Sequence, residues 1–408
     1  MKRHPSPRLW LCLACAALPA AAQIRTDASL GQAAQTLQGP NYLIAQSLGK
    51  LSGTNLFHSF QAFNLATGES ATFTLSTPGV ANVISRVSGG SPSLIYGAIQ
   101  LQPVSGQPNF FFINPAGVLF GAGATIDVPG AFHVSTADSL RFADGSRLYA
   151  DLSKASSFSA AAPEAFGFLG ANRGQIALID GAVIASNPQQ TISLVAGDIG
   201  LDNATVAGSG DIRLAAVGRQ ALDLGLSGDA PALSGQILLN HAALIGTSNL
   251  GGVNAGRISL DAGSIALDGG ASLSSFSRAG STGQGAAMRL RAAGELSLVN
   301  GANLYTSARG AGDAGAVSVE AGSIRLDNGG YVFADTQAGS SGRGGALQLT
   351  AQQGLSLDHG ASISAEINGQ GNGGAIGLAA ETLTLTGNAY ISNAAQAGSG
   401  SAGEMRLQ

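Results

Sequence analysis

The chain has 408 residues, of which only 11% are charged, and a formal net charge of -4, so it offers no basic field for nucleic acid. Its 60 glycines would suggest disorder in a polar chain, but hydrophobic residues make up 45%. Apolar residues separated by regularly placed Gly, Ser and Asn point instead to many short strands and turns.

The first residues include Lys2, Arg3, His4 and Arg8, followed by an apolar run from Leu9 to Leu18 and then Pro19-Ala20-Ala21-Ala22 before Gln23. A basic end, a short apolar core and a small-residue site read as a secretory signal peptide over residues 1–22, cleaved between Ala22 and Gln23. The run is well short of the roughly 20 apolar residues a spanning helix needs, so no transmembrane segment is expected in the mature chain. A lipoprotein signal ending at Cys15 is the weaker alternative, because Cys12 stands where such signals carry an aliphatic residue. Both cysteines, Cys12 and Cys15, lie in this segment. The mature chain therefore has no disulfide and no thiolate metal ligand, and it stays threadable.

Next come three ordered motifs: Phe57-His58-Ser59-Phe60-Gln61-Ala62-Phe63-Asn64-Leu65, Ser85-Arg86-Val87-Ser88-Gly89-Gly90, and Phe112-Ile113-Asn114-Pro115-Ala116-Gly117-Val118-Leu119-Phe120-Gly121. Asn114-Pro115-Ala116-Gly117 reads as a turn, since Asn can bond its own backbone, Pro fixes φ and Gly supplies a permissive exit. On that reading alone Asn114 shapes a corner, and Phe57, Phe60, Phe63, Phe110 and Phe112 pack in a core or cap. In order and spacing, residues 24 to 172 resemble the secretion domain of the filamentous-haemagglutinin family, the exoproteins of bacterial two-partner secretion. Ser135-Thr136-Ala137-Asp138 and Ala165-Phe166-Gly167-Phe168-Leu169-Gly170 are similar to its short-coil branch. The family's Asn-Pro-x-Gly motif falls on Asn114, Pro115, Ala116 and Gly117. Its second motif, Asn-Pro-Asn-Leu, is degenerate here, where Ser91, Pro92, Ser93 and Leu94 stand. Serine can still form side-chain-to-backbone turns, more weakly than asparagine.

Beyond residue 172, Ile192-Ser-Leu194 and Ile212-Arg-Leu214 stand 20 apart, and Ile237-Leu-Leu239 lies 21 before Ile258. This predicts short coils over residues 173–255. From 256 to 408 an apolar-x-apolar triplet begins at Ile258, Met288, Val317, Leu347, Ile376 and Met405, at spacings of 30, 29, 30, 29 and 29. Such a period marks a solenoid. A second triplet follows at Ile265, Leu296, Ile324, Leu355 and Leu383, and a third column at Leu273, Leu304, Val332, Ile363 and Ile391. Alternation puts these on one face and Ser259, Arg289, Arg325 and Gln348 on the other. Gly269-Gly270, Asn300-Gly301, Asn328-Gly329, His359-Gly360 and Gly387-Asn388 form a recurring turn, because Gly and Asn tolerate positive φ. The longer coils exceed the shorter by 9 or 10 residues, the length of Gly-rich loops such as 308–314 and 338–344, which should stack into a ridge.

These readings give an all-β fold, a right-handed parallel β-helix (solenoid) with an N-terminal secretion and capping domain over residues 23–172. A coil has too few inward aliphatics to offset the entropy of ordering it, so neighbours must complete its burial. The last coil begins at Met405 and stops at Gln408 without a second strand or polar cap, which reads as a chain truncated from something longer.

The chemistry of an enzyme is missing. Three Gly-x-Gly-x-x-Gly matches, beginning at Gly310, Gly369 and Gly398, each precede a strand, whereas a dinucleotide site needs a helix there. The β-helix fold also hosts polysaccharide-cleaving enzymes, but those need paired carboxylates, and Asp198, Asp202 and Asp211 read as solvated turn residues. His58, His133, His241 and His359 show no metal-ligand spacing. No catalytic residue, cofactor or metal is expected. By resemblance, the partner is an outer-membrane β-barrel transporter whose periplasmic domains capture the N-terminal region. The destination is then the medium or cell surface of a Gram-negative-type bacterium, and a host or matrix surface is the ligand of an adhesin. The alternative is a structural rod that holds a distal effector.

Overall fold

The computed structural model describes residues 23–170, 174–396 and 400–408. Ala22 and the rest of the signal segment lie outside the described residues, and Gln23 is the first of them. Among the described residues there are strands and turns, with a single short 3-10 turn at Gln46–Leu48 and no α-helix. No helix among the described residues is long and apolar enough to cross a membrane.

Parallel strands stack coil upon coil on three faces, as expected for a parallel β-helix. The first face runs through Asn55–Phe63, Asn82–Val87, Asn109–Ile113, Phe132–Ser135, Ile192–Ala196, Ile212–Ala216 and Ile258–Ala262 and on to Met405–Leu407. The second runs through Ser93–Ile95, Val118–Phe120, Ile176–Ile179, Ile199–Asp202, Gln236–Asn240 and Ser264–Leu267 to Thr382–Leu385. The third starts with Asn41–Ala45 and ends with Tyr390–Ala395. Two antiparallel strands, Ile24–Thr26 and Lys50–Ser52, cover the first strand of the first face.

All three predicted columns are in register. Ile258 pairs with Met288, Met288 with Val317, Val317 with Leu347, Leu347 with Ile376 and Ile376 with Met405. Leu267, Leu298, Leu326, Leu357 and Leu385 form one stack, and Leu273, Leu304, Val332, Ile363 and Ile391 another. The recurring corner has both residues at positive φ, for example 55° and 77° at Asn300-Gly301 and 48° and 75° at His359-Gly360, which bends the chain sharply from the second face to the third.

One spacing was misassigned from the sequence. Ile237 lies on the second face and pairs with Ile265, so its distance to Ile258 is no coil period. The first-face neighbour of Ile258 is Ile212, and the chain between them makes a long excursion.

That excursion belongs to a feature the sequence reading missed. Arg147–Tyr149, Ser139–Phe142, Pro163–Phe168 and Leu222–Gly225 form a separate antiparallel sheet in that order, laid over the outer side of the first face. Phe57, Ile84, Phe111, Ile113, Val195 and Ala215 project outward from the coils and pack with Leu140, Phe142, Phe166, Phe168 and Leu224 in a second core. Arg147 fastens the last strand, donating to both Asp223 carboxylate oxygens at 2.8 and 2.5 Å.

The Gly-rich loops of the later coils do stack. A Cβ on Gly312, Gly342, Gly371 or Gly400 would lie 1.9–2.1 Å from the carbonyl oxygen of Gly283, Gly312, Gly342 or Gly371, the matching glycine one coil earlier, so no larger residue fits. Gly315 and Gly374 are equally tight, with a Cβ 1.6 and 2.0 Å from the carbonyl oxygens of Ala286 and Gly345, which accounts for the Gly-x-Gly-x-x-Gly pattern at Gly310 and Gly369; Gly398 lies outside the described residues. Buried polar groups satisfy the loop backbones: Ser277 donates to the Gly312 carbonyl at 2.8 Å, and Thr336 accepts from the Asn368 and Gly369 amides at 3.2 and 3.0 Å.

Candidate functional site

The two motifs meet at one corner between the first and second faces. Asn114 is fully buried and uses every polar atom: its Oδ1 accepts the Ala116 amide at 3.0 Å, closing an Asx turn, and its Nδ2 donates to the Ser91 carbonyl and the Ser93 hydroxyl, both at 3.0 Å. Its backbone amide reaches the Ser135 carbonyl at 3.0 Å, and its carbonyl accepts from Gly117 at 3.0 Å. Gly117 sits at φ 123° with its would-be Cβ 3.2 Å from the Gln175 carbonyl oxygen, a place only glycine fills without strain. Gly117 in turn accepts the Ser93 amide at 3.0 Å, and Leu94 donates to Asn64 Oδ1 at 2.9 Å. Asn64, Ser91-Pro92-Ser93-Leu94 and Asn114-Pro115-Ala116-Gly117 are thus three stacked corners of consecutive coils, with Asn114 clamping the degenerate motif. The Ser91 side chain makes no part of this clamp; its carbonyl does.

Beside the corner is a depression of about 300 Å³ lined by Ser88, Asn114, Pro115, Ala116 and, from the antiparallel sheet and the loop that follows it, Asp138, Tyr149, Asp151 and Lys154. Asp138 accepts the Leu169 amide at 2.6 Å, Asp151 the Ser153 amide at 2.9 Å, and the Lys154 ammonium lies 5.5 Å from the Tyr149 ring centroid. The walls therefore carry both charges on a fixed frame.

The aromatics of the first motif are buried. Phe60, Phe63, Phe110 and Phe112 fill the coil interior, with Phe63 and Phe112 edge to face at 5.1 Å, while Phe57 packs outward against Phe142 and Phe158. Sequence reasoning missed an asparagine ladder at the start of these strands. Asn109 donates to Asn82 at 3.0 Å, Asn82 to Asn55 at 2.8 Å, and Asn55 to the Ser159 and Ala161 carbonyls at 2.9 and 2.7 Å. The repeat of Asn55, Asn82 and Asn109 at 27 residues was the available signal.

The aspartates weighed for catalysis clip coils together instead. Asp198 accepts the Gln236 amide and Asp211 the Arg257 amide, each at 2.7 Å, and Asp202 pairs with His241 at 2.5 Å. His58 and His133 are buried, and burial pulls their imidazoles down to about 3 and about 4; the Arg213 charge adds to the shift of His133. The structure does draw Asp327, Asp358 and His359 together at one corner, with His359 Nδ1 2.9 Å from Asp327 and 3.2 Å from Asp358. Arg325 shares Asp327, so this is an ion-paired corner.

With this geometry in hand, the family is decided by a match to the TPS secretion domain over residues 22–283. The chain belongs to that family, the secretion domains of two-partner systems. Its fold is similar to the crystal structure of the HMW1 secretion domain from Haemophilus influenzae, with a TM-score of 0.55 and 15% identity, covering 88% of this chain and 96% of that one. At that identity the likeness is one of fold. No curated protein sequence matches the chain.

Proposed function

We propose that the N-terminal coils and their antiparallel sheet direct export: after the signal segment takes the chain across the inner membrane, periplasmic domains of an outer-membrane β-barrel transporter capture this region and the chain passes outward. The carrying observation is the Asn114 clamp, which joins both motifs of the TPS secretion domain at one corner beside a walled depression. Folding of the stacked coils outside then opposes return. The product is a secreted or surface exoprotein of a Gram-negative-type bacterium, without catalytic chemistry. The long aligned columns of residues 256–408 favour a rod, and adhesion to a host or matrix surface is the role that family resemblance suggests for it. Deleting residues 24–172 while keeping residues 1–23 tests the reading in cells that carry the transporter. The deleted chain should accumulate in the periplasm, and equal amounts in the medium with and without the deletion would overturn it.

A further inference from the structure

The Ser85-Arg86-Val87-Ser88 motif is not explained by the corner clamp. Arg86 is buried, and its guanidinium is shared by three separate parts of the chain. Its Nε donates to the Ser59 hydroxyl at 2.7 Å in the preceding coil. One terminal nitrogen donates to the Ser29 hydroxyl at 2.8 Å in the N-terminal strap, and the other to the Tyr149 carbonyl and, at 3.0 Å, the Ser156 hydroxyl in the loop that walls the depression. Ser156 also accepts the Tyr149 amide at 3.0 Å, so the loop closes on itself where Arg86 holds it.

The strap is held from the other side by Asp27. Ser59 and Ser88 donate to its Oδ2 at 2.6 and 2.7 Å, and Ser29 donates to its Oδ1 through both amide, at 2.9 Å, and hydroxyl. Burial pushes the Asp27 carboxyl up, but these hydrogen bonds outweigh it and hold the group below its ordinary range. Ser59 and Ser29 each accept from Arg86 and donate to Asp27, so a buried cation and a half-buried anion are joined by two hydroxyl relays. Such a network is strong only while every member is in place.

We infer that Arg86 is a positioning residue that couples the N-terminal strap to the loop 149–156, so that the wall of the motif depression exists only when the strap is docked. The loop is tied to the antiparallel sheet by the Ala150 amide on the Asp138 carbonyl at 2.9 Å, and the chain meets the coils again at Phe158 against Phe57 and at the Ser159 carbonyl on Asn55. Between these points Arg86 holds it, and removal of a charge-assisted bond from a buried network opens the segments it joined. The capture surface would then form as one unit with the cap of the solenoid. Its bearing on export rests on the function proposed above; the coupling itself does not.

Hydrogen exchange on the full chain, read by segment, tests the coupling. Arg86→Lys keeps the charge but cannot span three partners, and Asp27→Asn touches the strap without touching the loop. Both should speed exchange in residues 24–30 and also in 147–157 by about tenfold or more, with residues 317–351 unchanged. Loosening of only one segment, or an Asp27→Asn variant whose loop exchanges normally, would overturn the coupling. Should Arg86→Lys fail to fold, Asp27→Asn and Ser156→Ala carry the test, with Ser156→Ala expected to loosen the strap as well. Ala116→Trp, which fills the depression without touching the network, separates the two readings. Normal export of that variant beside coupled loosening in Asp27→Asn would leave the coupling standing and remove the depression from the export mechanism.

Discussion

The early and late coils solve the same packing problem in different ways. In the coils up to about residue 216, the first-face strands are buried on both sides: Asn82–Val87 is buried at every position and Phe110-Phe111-Phe112-Ile113 is an unbroken buried run, because the interior takes one side and the antiparallel sheet takes the other. From Met288 onward the first-face strands alternate, with Met288 and Leu290 inside and Arg289 and Arg291 outside, and the additional residues go into stacked glycine loops. A solenoid can thus carry a built-up N-terminal end on a plain repeating shaft. The difference lies in what covers the outer side.

The comparison breaks most visibly at a column both regions share in principle. Leu326 is fully buried between Leu298 and Leu357, and Leu326→Asp places an unpaired charge there, at a cost of more than about 4 kcal/mol. Neighbouring Arg325 points outward and its ion pair with Asp327 is half exposed, so Arg325→Asp should cost about 0.5 kcal/mol or less. Denaturant unfolding of the two variants measures this; the opposite ranking would mean that the strand register is shifted by one residue, and equal losses would count against the parallel β-helix.

The outer side separates the two regions next. Phe111 projects out of its coil yet is buried against Phe166 and stacked on His133 at 4.5 Å, so Phe111→Ala should destabilise by about 3–5 kcal/mol. Gln348, also outward, faces solvent in the later coils, and Gln348→Ala should be within about 0.5 kcal/mol of neutral. A mild Phe111 variant would mean the antiparallel sheet contributes little.

The repeating shaft was the legible part of the sequence. Its alternation, its period and its Asn-Gly corners each follow from local geometry, and the columns from Leu267 to Leu385 needed only counting. The antiparallel sheet was harder, because its strands come from two excursions, 136–170 and 218–233, that share no period with the coils. The unbroken run of Phe110 to Ile113 was its signature, since a strand covered on both faces loses its alternation. Likewise Asn114 was visible as a turn residue, whereas its clamp on Ser91 and Ser93 depends on coil stacking that spacing alone did not specify.

A third contrast is in the glycine loops. Gly371→Ala would drive a Cβ to 2.0 Å from the Gly342 carbonyl oxygen, forcing two loops apart at a cost of about 1–3 kcal/mol. At Gly170 a Cβ meets nothing within 4 Å, so Gly170→Ala should change thermal stability little. A similar loss in both would show that the late loops are not tightly stacked.

The smallest contrast is in pH. His58 and His133 in the early coils keep neutral rings, with values of about 3 and about 4 against an ordinary 6.5. Their contribution is complete above pH 6.5 and is lost as pH falls toward those values, because the unfolded chain takes up protons first. His359 in the late coils has the opposite sign. Its hydrogen bond to Asp327, with the charge of Asp358, raises its pKa, so its small contribution is present below pH 6.5 and lost as pH rises through the raised value. Between pH 7 and pH 4.5, segment-resolved exchange should show the early coils losing protection first, and His58→Leu should flatten that loss.

The most direct test of the division between N-terminal end and shaft is export of two variants beside the parent chain, in cells carrying the transporter. One is Asn114→Ala, which removes the clamp between the two motifs; the other deletes residues 317–346, one complete coil, so that Leu347 takes the place of Val317 over Met288. Asn114→Ala should leave most of the chain in the periplasm, while the shortened chain should reach the medium at the parent level. Normal export of Asn114→Ala together with retention of the shortened chain would contradict the account.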